Sequence, residues 1–334
     1  MTITYTAVRA RPRAAGAAVP EDFSFVTGRA PELAEGEVLA ETLLLSVDPY
    51  MREYMAHGGW ESGFGLEGRA LGRVLESRDP ALEPGTLLFH RHGWSTHAVL
   101  GPRDAKRVVT PAEGVPLSAY LGILGGTGLT AYVGLTRVAR LRAGEDLFIS
   151  SAAGGVGGAA GQLARLLGAR RIVGSTGSAA KAAHLVDRLG FDAAFDYHDG
   201  DLGAQLAKAA PDGVDVYFDN VGGSHLEAAI GALRDHGRVA WCGAVAQYDD
   251  LASPPPAPRN LYAVVGKRLR LEGFLVRDHL DAQAEYEAFL IPHLVAGRAF
   301  SDETVAEGFD RVVGAFLDML AGRSVGKMLV RVAD

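Results

Sequence analysis

An α/β chain built on a doubly wound parallel sheet, with a β-rich domain ahead of it, is predicted by three observations. From about residue 121 onward, strand-like apolar runs alternate with helical patterns, and strand–helix–strand alternation implies a parallel sheet covered on both faces. Before that point the chain is mostly short apolar runs bounded by Gly and Pro, the texture of a β-rich domain. Between a strand-like run and a helical one lies the glycine turn "AAGGVG" (152–157).

The length of 334 residues suits two domains. Hydrophobic residues make up 48% and charged residues 22%, as in a globular chain with a buried core. The net charge of −7 comes from mixed signs spread along the chain, with no basic, aromatic-interleaved patch, so no nucleic-acid partner is expected. The single cysteine, Cys242, excludes an intrachain disulfide, a four-cysteine zinc site and a catalytic zinc held by two cysteines, so no metal is expected. No run approaches the roughly 20 apolar residues of a membrane span, and the N-terminal stretch lacks the apolar core of a signal peptide, which points to a cytoplasmic protein.

In the first part, 36–49, 69–77 and 85–100 read as strand-bearing segments. In the second, strands are expected at 146–150, 171–175, 214–220, 237–243 and 270–276. Between the first two of these, Gln162, Leu163, Leu166 and Leu167 recur at helical spacing. The tail 324–332 is a strand again and is expected to rejoin the first domain, and the proline-rich stretch 252–260 reads as a stiff loop.

Following a strand and opening a helix, the pattern A-x-G-x-x-G (Ala152, Gly154, Gly157) fits a Rossmann dinucleotide turn. Gly154 lets the backbone approach a pyrophosphate, Gly157 lets helix and sheet pack closely, and the helix N-terminus offers N–H groups to phosphate. An NAD site usually places Asp or Glu about 20 residues further on. Here no acid occurs from Leu147 to Val186; the position reads "GSTGS", followed by Lys181. Ser175, Thr176 and Ser178 as small donors, with Lys181 as a cation, suit a 2′-phosphate, so the expected cofactor is NADPH. Lys181 in isolation reads better as a solvated helix-face lysine; its place just after the second strand tips the reading toward a cofactor contact.

The segments 46–52 ("SVDPYMR"), 122–132, 152–164, 216–223 ("VYFDNVGG"), 242–249 ("CGAVAQYD"), 267–276 and 325–332 resemble, in this order and over nearly the whole chain, the zinc-free medium-chain dehydrogenases/reductases. The branch is that of prostaglandin reductases, alkenal double-bond reductases and bacterial curcumin reductases. The resemblance implies a GroES-like substrate domain over 1–121, completed by about 300–334, and a Rossmann NADPH-binding domain over 122–299. It implies reduction of a carbon–carbon double bond conjugated to a carbonyl. It also implies cofactor contacts at Thr127, Gly154, Gly155, Val156, Gly157, Gly158, Ser178, Lys181, Tyr197, Asn220, Cys242, Gly243, Ala244, Tyr248, Phe274, Leu275, Val276 and Ser324. Two positions depart from the family pattern: Gly266 stands where many members carry tyrosine, and Ser324 where asparagine is frequent.

Without zinc, hydrogen-bond donors must stabilise the enolate formed when hydride reaches the β-carbon. Tyr50 is the favoured catalytic donor, with a packing role about equally supported, and Tyr54, a backbone N–H or a cofactor ribose hydroxyl are the others. Arg52 either pairs with Asp48 or faces the substrate, and the glycine-rich stretch around Trp60 and Phe64 reads as a mobile pocket rim. His90, His92 and His97 lack ligand spacing, and Cys242 reads as a small hydrophobe. The apolar run 270–276, near the end of the sheet, is expected to pair with a second copy as a homodimer. The alternatives to an enone or enal reductase are a quinone reductase of the same superfamily and a non-catalytic NADPH-binding protein.

Overall fold

A computed structural model describes residues 3–248, 253–254 and 256–333. Asp249, Ala252 and Pro255, which belong to the 242–249 loop and the proline-rich stretch, lie outside the described residues.

The parallel sheet has six strands, counted along the chain as Asp146–Ile149, Arg171–Thr176, Ala193–Asp196, Val214–Asp219, Leu233–Trp241 and Arg270–Gly273. Their order is 3-2-1-4-5-6, all pairs parallel, the doubly wound Rossmann order with its switch point between strands 1 and 4. Alternate side chains feed separate cores. Leu147, Ile149, Val216 and Phe218 pack on one face, while Phe148 and Tyr217 stack with ring centres 5.0 Å apart on the other. A sheet buried on both faces needs apolar residues at consecutive positions, which is why these runs are legible without alternation. The third strand, "AAFD", was not anticipated: two alanines leave too little β-branched or aromatic character to mark it.

The run 270–276 is corrected. Only Arg270–Gly273 is strand, because the neighbouring strand ends at Trp241 opposite Gly273 and offers no ladder beyond it. Glu272 and Gly273 are exposed, so this strand is not buried on both faces.

The β-rich part centres on Val38–Ser46, whose residues are nearly all buried. It pairs antiparallel with Ala70–Ser77, His97–Leu100 and Lys327–Arg331, so the C-terminal strand enters the sheet of the first domain. Glu303–Glu307 extends that sheet in parallel with Lys327–Arg331. Gln162, within the helix Gly155–Leu166, ties this returning segment to the Rossmann part: its amide accepts from Phe300 N–H at 3.0 Å and donates to Phe300 O at 3.2 Å.

Candidate functional site: a dinucleotide cleft at the carboxyl edge

The first strand ends at Ile149, followed by Ser150 and then Ser151 in the left-handed region (φ 48°). That conformation is costly for a non-glycine residue and marks a constrained turn. Gly154 closes the turn, donating to Ser151 O at 3.0 Å, and the helix Gly155–Leu166 starts there. A Cβ on Gly157 would lie 2.4 Å from Ser151 O and 2.7 Å from Ala152 Cα, so only glycine fits. A Cβ on Gly154 would meet only its own turn, at 3.3–3.4 Å, leaving the outer side of the turn bare. The first N–H groups of a helix have no intrahelical acceptor, and Gly155, Val156 and Gly157 supply them here. Gly155 is hemmed in by the Thr127 methyl and the Lys327 stem. Gly158 faces Leu189 and belongs to the packing side. The C-terminal segment reaches the turn too: Gly326 N–H donates to Ala153 O at 2.8 Å.

Past the second strand, Gly177, Ser178, Lys181 and Tyr197 come together. Ser178 caps the helix Ala179–Asp187, accepting from Lys181 N–H at 3.3 Å. Lys181 Nζ donates to Gly322 O at 2.5 Å, and its partial burial lowers its pKa. A Cβ on Gly177 would stand 3.5 Å from Tyr197 Oη and 3.4 Å from His198 Cε1, so both rings border the same spot. The nearest acid on the third strand, Asp196, bonds His198 Nδ1 at 2.9 Å. Ser175 lies elsewhere: it is fully buried and its hydroxyl has no partner among the described residues. Ser324 is half-buried, in the same C-terminal loop as Gly322.

At the switch point, Asn220 is nearly buried and bridges two strand ends. Its Nδ2 donates to Ser150 O at 2.7 Å and its N–H to Ser150 Oγ at 3.0 Å. Asp219 accepts from Tyr217 Oη at 2.7 Å and from Val221 and Gly222 N–H at 2.9 and 2.8 Å. The strand end is therefore locked from beneath. Cys242 N–H donates to Asp219 O, and burial pushes its thiol up to about 12, which leaves it a protonated neighbour rather than a nucleophile. Beyond it, Gly243, Ala244, Tyr248, Phe274 and Leu275 line a cleft of about 540 Å³, together with Glu53 from the first domain. Val276 begins the next helical turn and packs, half-buried, against the core below.

Glu53 and Asp278, both at this cleft, were missed from sequence. A signal existed for Glu53: it stands three residues from Tyr50 on the short helix Met51–His57, as Tyr54 stands four, spacings that share a helix face.

Tyr50 caps that helix, with its ring edge-on to Tyr54 (centroids 5.3 Å apart). Its hydroxyl donates to Glu67 Oε2 at a long 3.3 Å. Burial raises the pKa of both the phenol and the Glu67 carboxyl. Behind them Asp48 binds Arg69 at 2.8 Å and Lys327 at 3.1 Å. Burial pushes the Asp48 carboxyl up, but these two cations overcome it and hold it at about 2.

Two expected substrate residues are corrected. Arg52 is fully buried, and its guanidinium donates to Arg13 O at 3.0 Å and Gly16 O at 2.8 Å, fastening the N-terminal segment. Trp60 is buried among Phe23, Trp94 and Phe316, and its indole N–H donates to Glu67 O at 2.8 Å. Phe64, the other expected rim residue, stacks on Tyr5 at 3.9 Å. Large aromatic area is worth more in the core than at a rim.

Among the described residues no group of three or more His, Cys, Asp and Glu side chains is placed to hold a metal ion, and no helix is long and apolar enough to cross a membrane. The fold and the glycine turn define a dinucleotide-dependent oxidoreductase class. The family model described as "N-terminal domain of oxidoreductase" matches residues 7–108, and that described as "Zinc-binding dehydrogenase" matches residues 155–295. The NADP(+)-dependent 2-alkenal reductase of Nicotiana tabacum is 38% identical over 91% of this chain and 90% of its own. Prostaglandin reductase 1 of Mus musculus is 40% identical over 93% of this chain and 94% of its own. The crystal structure of CurA from Vibrio vulnificus in complex with NADPH superposes with a TM-score of 0.89 at 29% identity, covering 98% of this chain and 99% of that one. The chain belongs to the medium-chain dehydrogenase/reductase superfamily, in its zinc-free branch of alkenal and prostaglandin reductases.

Proposed function

We propose that this protein is an NADPH-dependent reductase of the carbon–carbon double bond in α,β-unsaturated ketones or aldehydes. The observation that carries this reading is the 38% identity, over 91% of the chain, to an NADP(+)-dependent 2-alkenal reductase. Support for the cofactor comes from the bare outer side of Gly154, from Ser178 capping the helix that carries Lys181, and from Tyr197 bordering Gly177.

When bound, NADPH supplies the hydride that reaches the substrate's β-carbon. The helix N-terminus at Gly155–Gly157 would hold the pyrophosphate. Thr127, Asn220, Gly243, Ala244 and Tyr248, with Phe274, Leu275 and Ser324, would border the remaining length of the cofactor. Tyr50, kept protonated by burial, turns its weakly held hydroxyl from Glu67 toward the substrate oxygen as negative charge builds there. Tyr54 sets the ring of Tyr50, and the α-carbon takes its proton from water or a tyrosine. The products are the saturated carbonyl compound and NADP(+).

The functional unit in this reading is a cytoplasmic homodimer. Arg270–Gly273 is an open sheet edge, beside which Leu261, Tyr262 and Val265 are exposed, Tyr262 by 85%. Unpaired edges with apolar flanks invite pairing.

Incubation with NADPH and a simple enone, followed by product analysis, tests the reading. The expected product is the saturated ketone. An allylic alcohol, or NADPH oxidation with quinones alone, would overturn it.

A further inference from the structure

The cleft is polar on one side in a single sense. Glu53 reaches it from the short helix of the first domain, and Asp278 from the turn after the last strand of the parallel sheet, with Gln247, Tyr248, Phe274 and Leu275 between them. Both acids are exposed. Among the described residues neither has an ion-pair partner, and no lysine or arginine lines the cleft. Glu53 and Tyr248 line the same cleft.

We infer that Glu53 and Asp278 are specificity-determining residues that make this cleft discriminate against substrates carrying a negative charge. Neutral enones and enals, and cationic ones, are admitted; those bearing a carboxylate or phosphate tail are repelled. This rests on the proposed enone-reductase function, with the substrate entering the part of the cleft beside the residues that would border the cofactor.

The physical reason is that a substrate anion entering the cleft meets two like charges, with no lysine or arginine among the described lining residues to offset the loss of its hydration. Clefts lined by one sign of charge focus the field on what enters. Salt screens such a field with a Debye length of about 10 Å at 0.1 M, so the discrimination weakens as ionic strength rises. The apolar wall of Phe274 and Leu275 takes the hydrocarbon part of either kind of substrate, so size alone does not separate them.

The test uses one enone whose chain ends, several carbons from the double bond, in a carboxylate, and the methyl ester of the same molecule. The quantity read is the ratio of the two kcat/KM values with NADPH at low salt, so any general loss of activity in a variant cancels. In the wild type the ester is expected to be favoured by about tenfold or more, shrinking at high salt. In Glu53→Gln/Asp278→Asn the ratio should fall to about threefold or less, chiefly through a lower KM for the acid. Equal use of acid and ester by the wild type overturns the inference and leaves the reductase reading standing. So does a ratio unchanged in the double variant. Reduction of neither compound overturns both.

Discussion

Arg69 holds its guanidinium carbon 5.7 Å from the centre of the Tyr50 ring while donating to Asp48 at 2.8 Å. The cation is fixed by a buried carboxylate on one side and presents its charge to the phenol on the other, at a distance typical of cation–π contacts. Tyr50 is thus set in place by its ring, and its hydroxyl donates a long bond to Glu67.

That division predicts the behaviour of Tyr50→Phe. The ring contacts survive and the hydroxyl goes. With a neutral enone, kcat should fall by about tenfold, equivalent to ~1.4 kcal/mol, less than the loss of a fully enclosed oxyanion donor. NADPH affinity should stay within about twofold. Steady-state kinetics and fluorescence titration would check both, and an unchanged kcat would move the donor role to a backbone N–H or a ribose hydroxyl.

Lys181 gives the cofactor prediction. Its ammonium bonds Gly322 O and stands beside Ser178, and the helix it opens follows the acid-free second strand. Lys181→Ala should weaken NADPH by tenfold to a hundredfold, the loss of a charge-assisted bond of about 1.5–3 kcal/mol. NADH, which lacks the 2′-phosphate, should be affected far less. Equal weakening of both would mean that the lysine acts through the C-terminal loop alone.

Two glycines should respond oppositely to added side chains. In Gly157→Ala the new methyl would meet backbone atoms at 2.4 and 2.7 Å. The turn must shift, with a loss of about 1–3 kcal/mol and of cofactor binding. Around Gly266 nothing lies within 4 Å of an added Cβ, so Gly266→Tyr should leave the melting temperature within about 2 °C. A changed KM for an enone would show that position 266 borders the substrate.

His90 and His225 predict the acid limb of stability. Burial lowers their pKa values to about 3 and about 4. Both stay neutral in the folded chain while the unfolded chain takes up protons near 6.5. Stability is therefore full above pH 6.5 and lost as pH falls toward 4, on the order of 3 kcal/mol for each group. Melting temperature measured between pH 7 and 4.5 should drop, and His225→Gln should flatten the curve. A curve of the same slope in that variant would show that His225 does not contribute.

The sequence by itself determined the Rossmann sheet, the glycine turn and the reductase family. Consecutive apolar residues such as those of Phe148 and Ile149 need two covered faces, and a turn that admits only glycine at Gly157 leaves a local mark. Acid-free chain from Leu147 to Val186 was equally local. What only the tertiary structure decided depended on partners far away in sequence. Arg52 lies next to Met51 in the helix that carries Tyr54, yet the carbonyls of Arg13 and Gly16 draw it into the interior. Trp60 sits in a glycine-rich stretch that reads as a rim, yet Phe316 and Trp94 close around it. Asp278 follows a strand that ends sooner than its apolar run, because the neighbouring strand stops at Trp241. Residue type fixes what a side chain can do, while burial and countercharge, set by the packing of distant segments, fix which of those things it does.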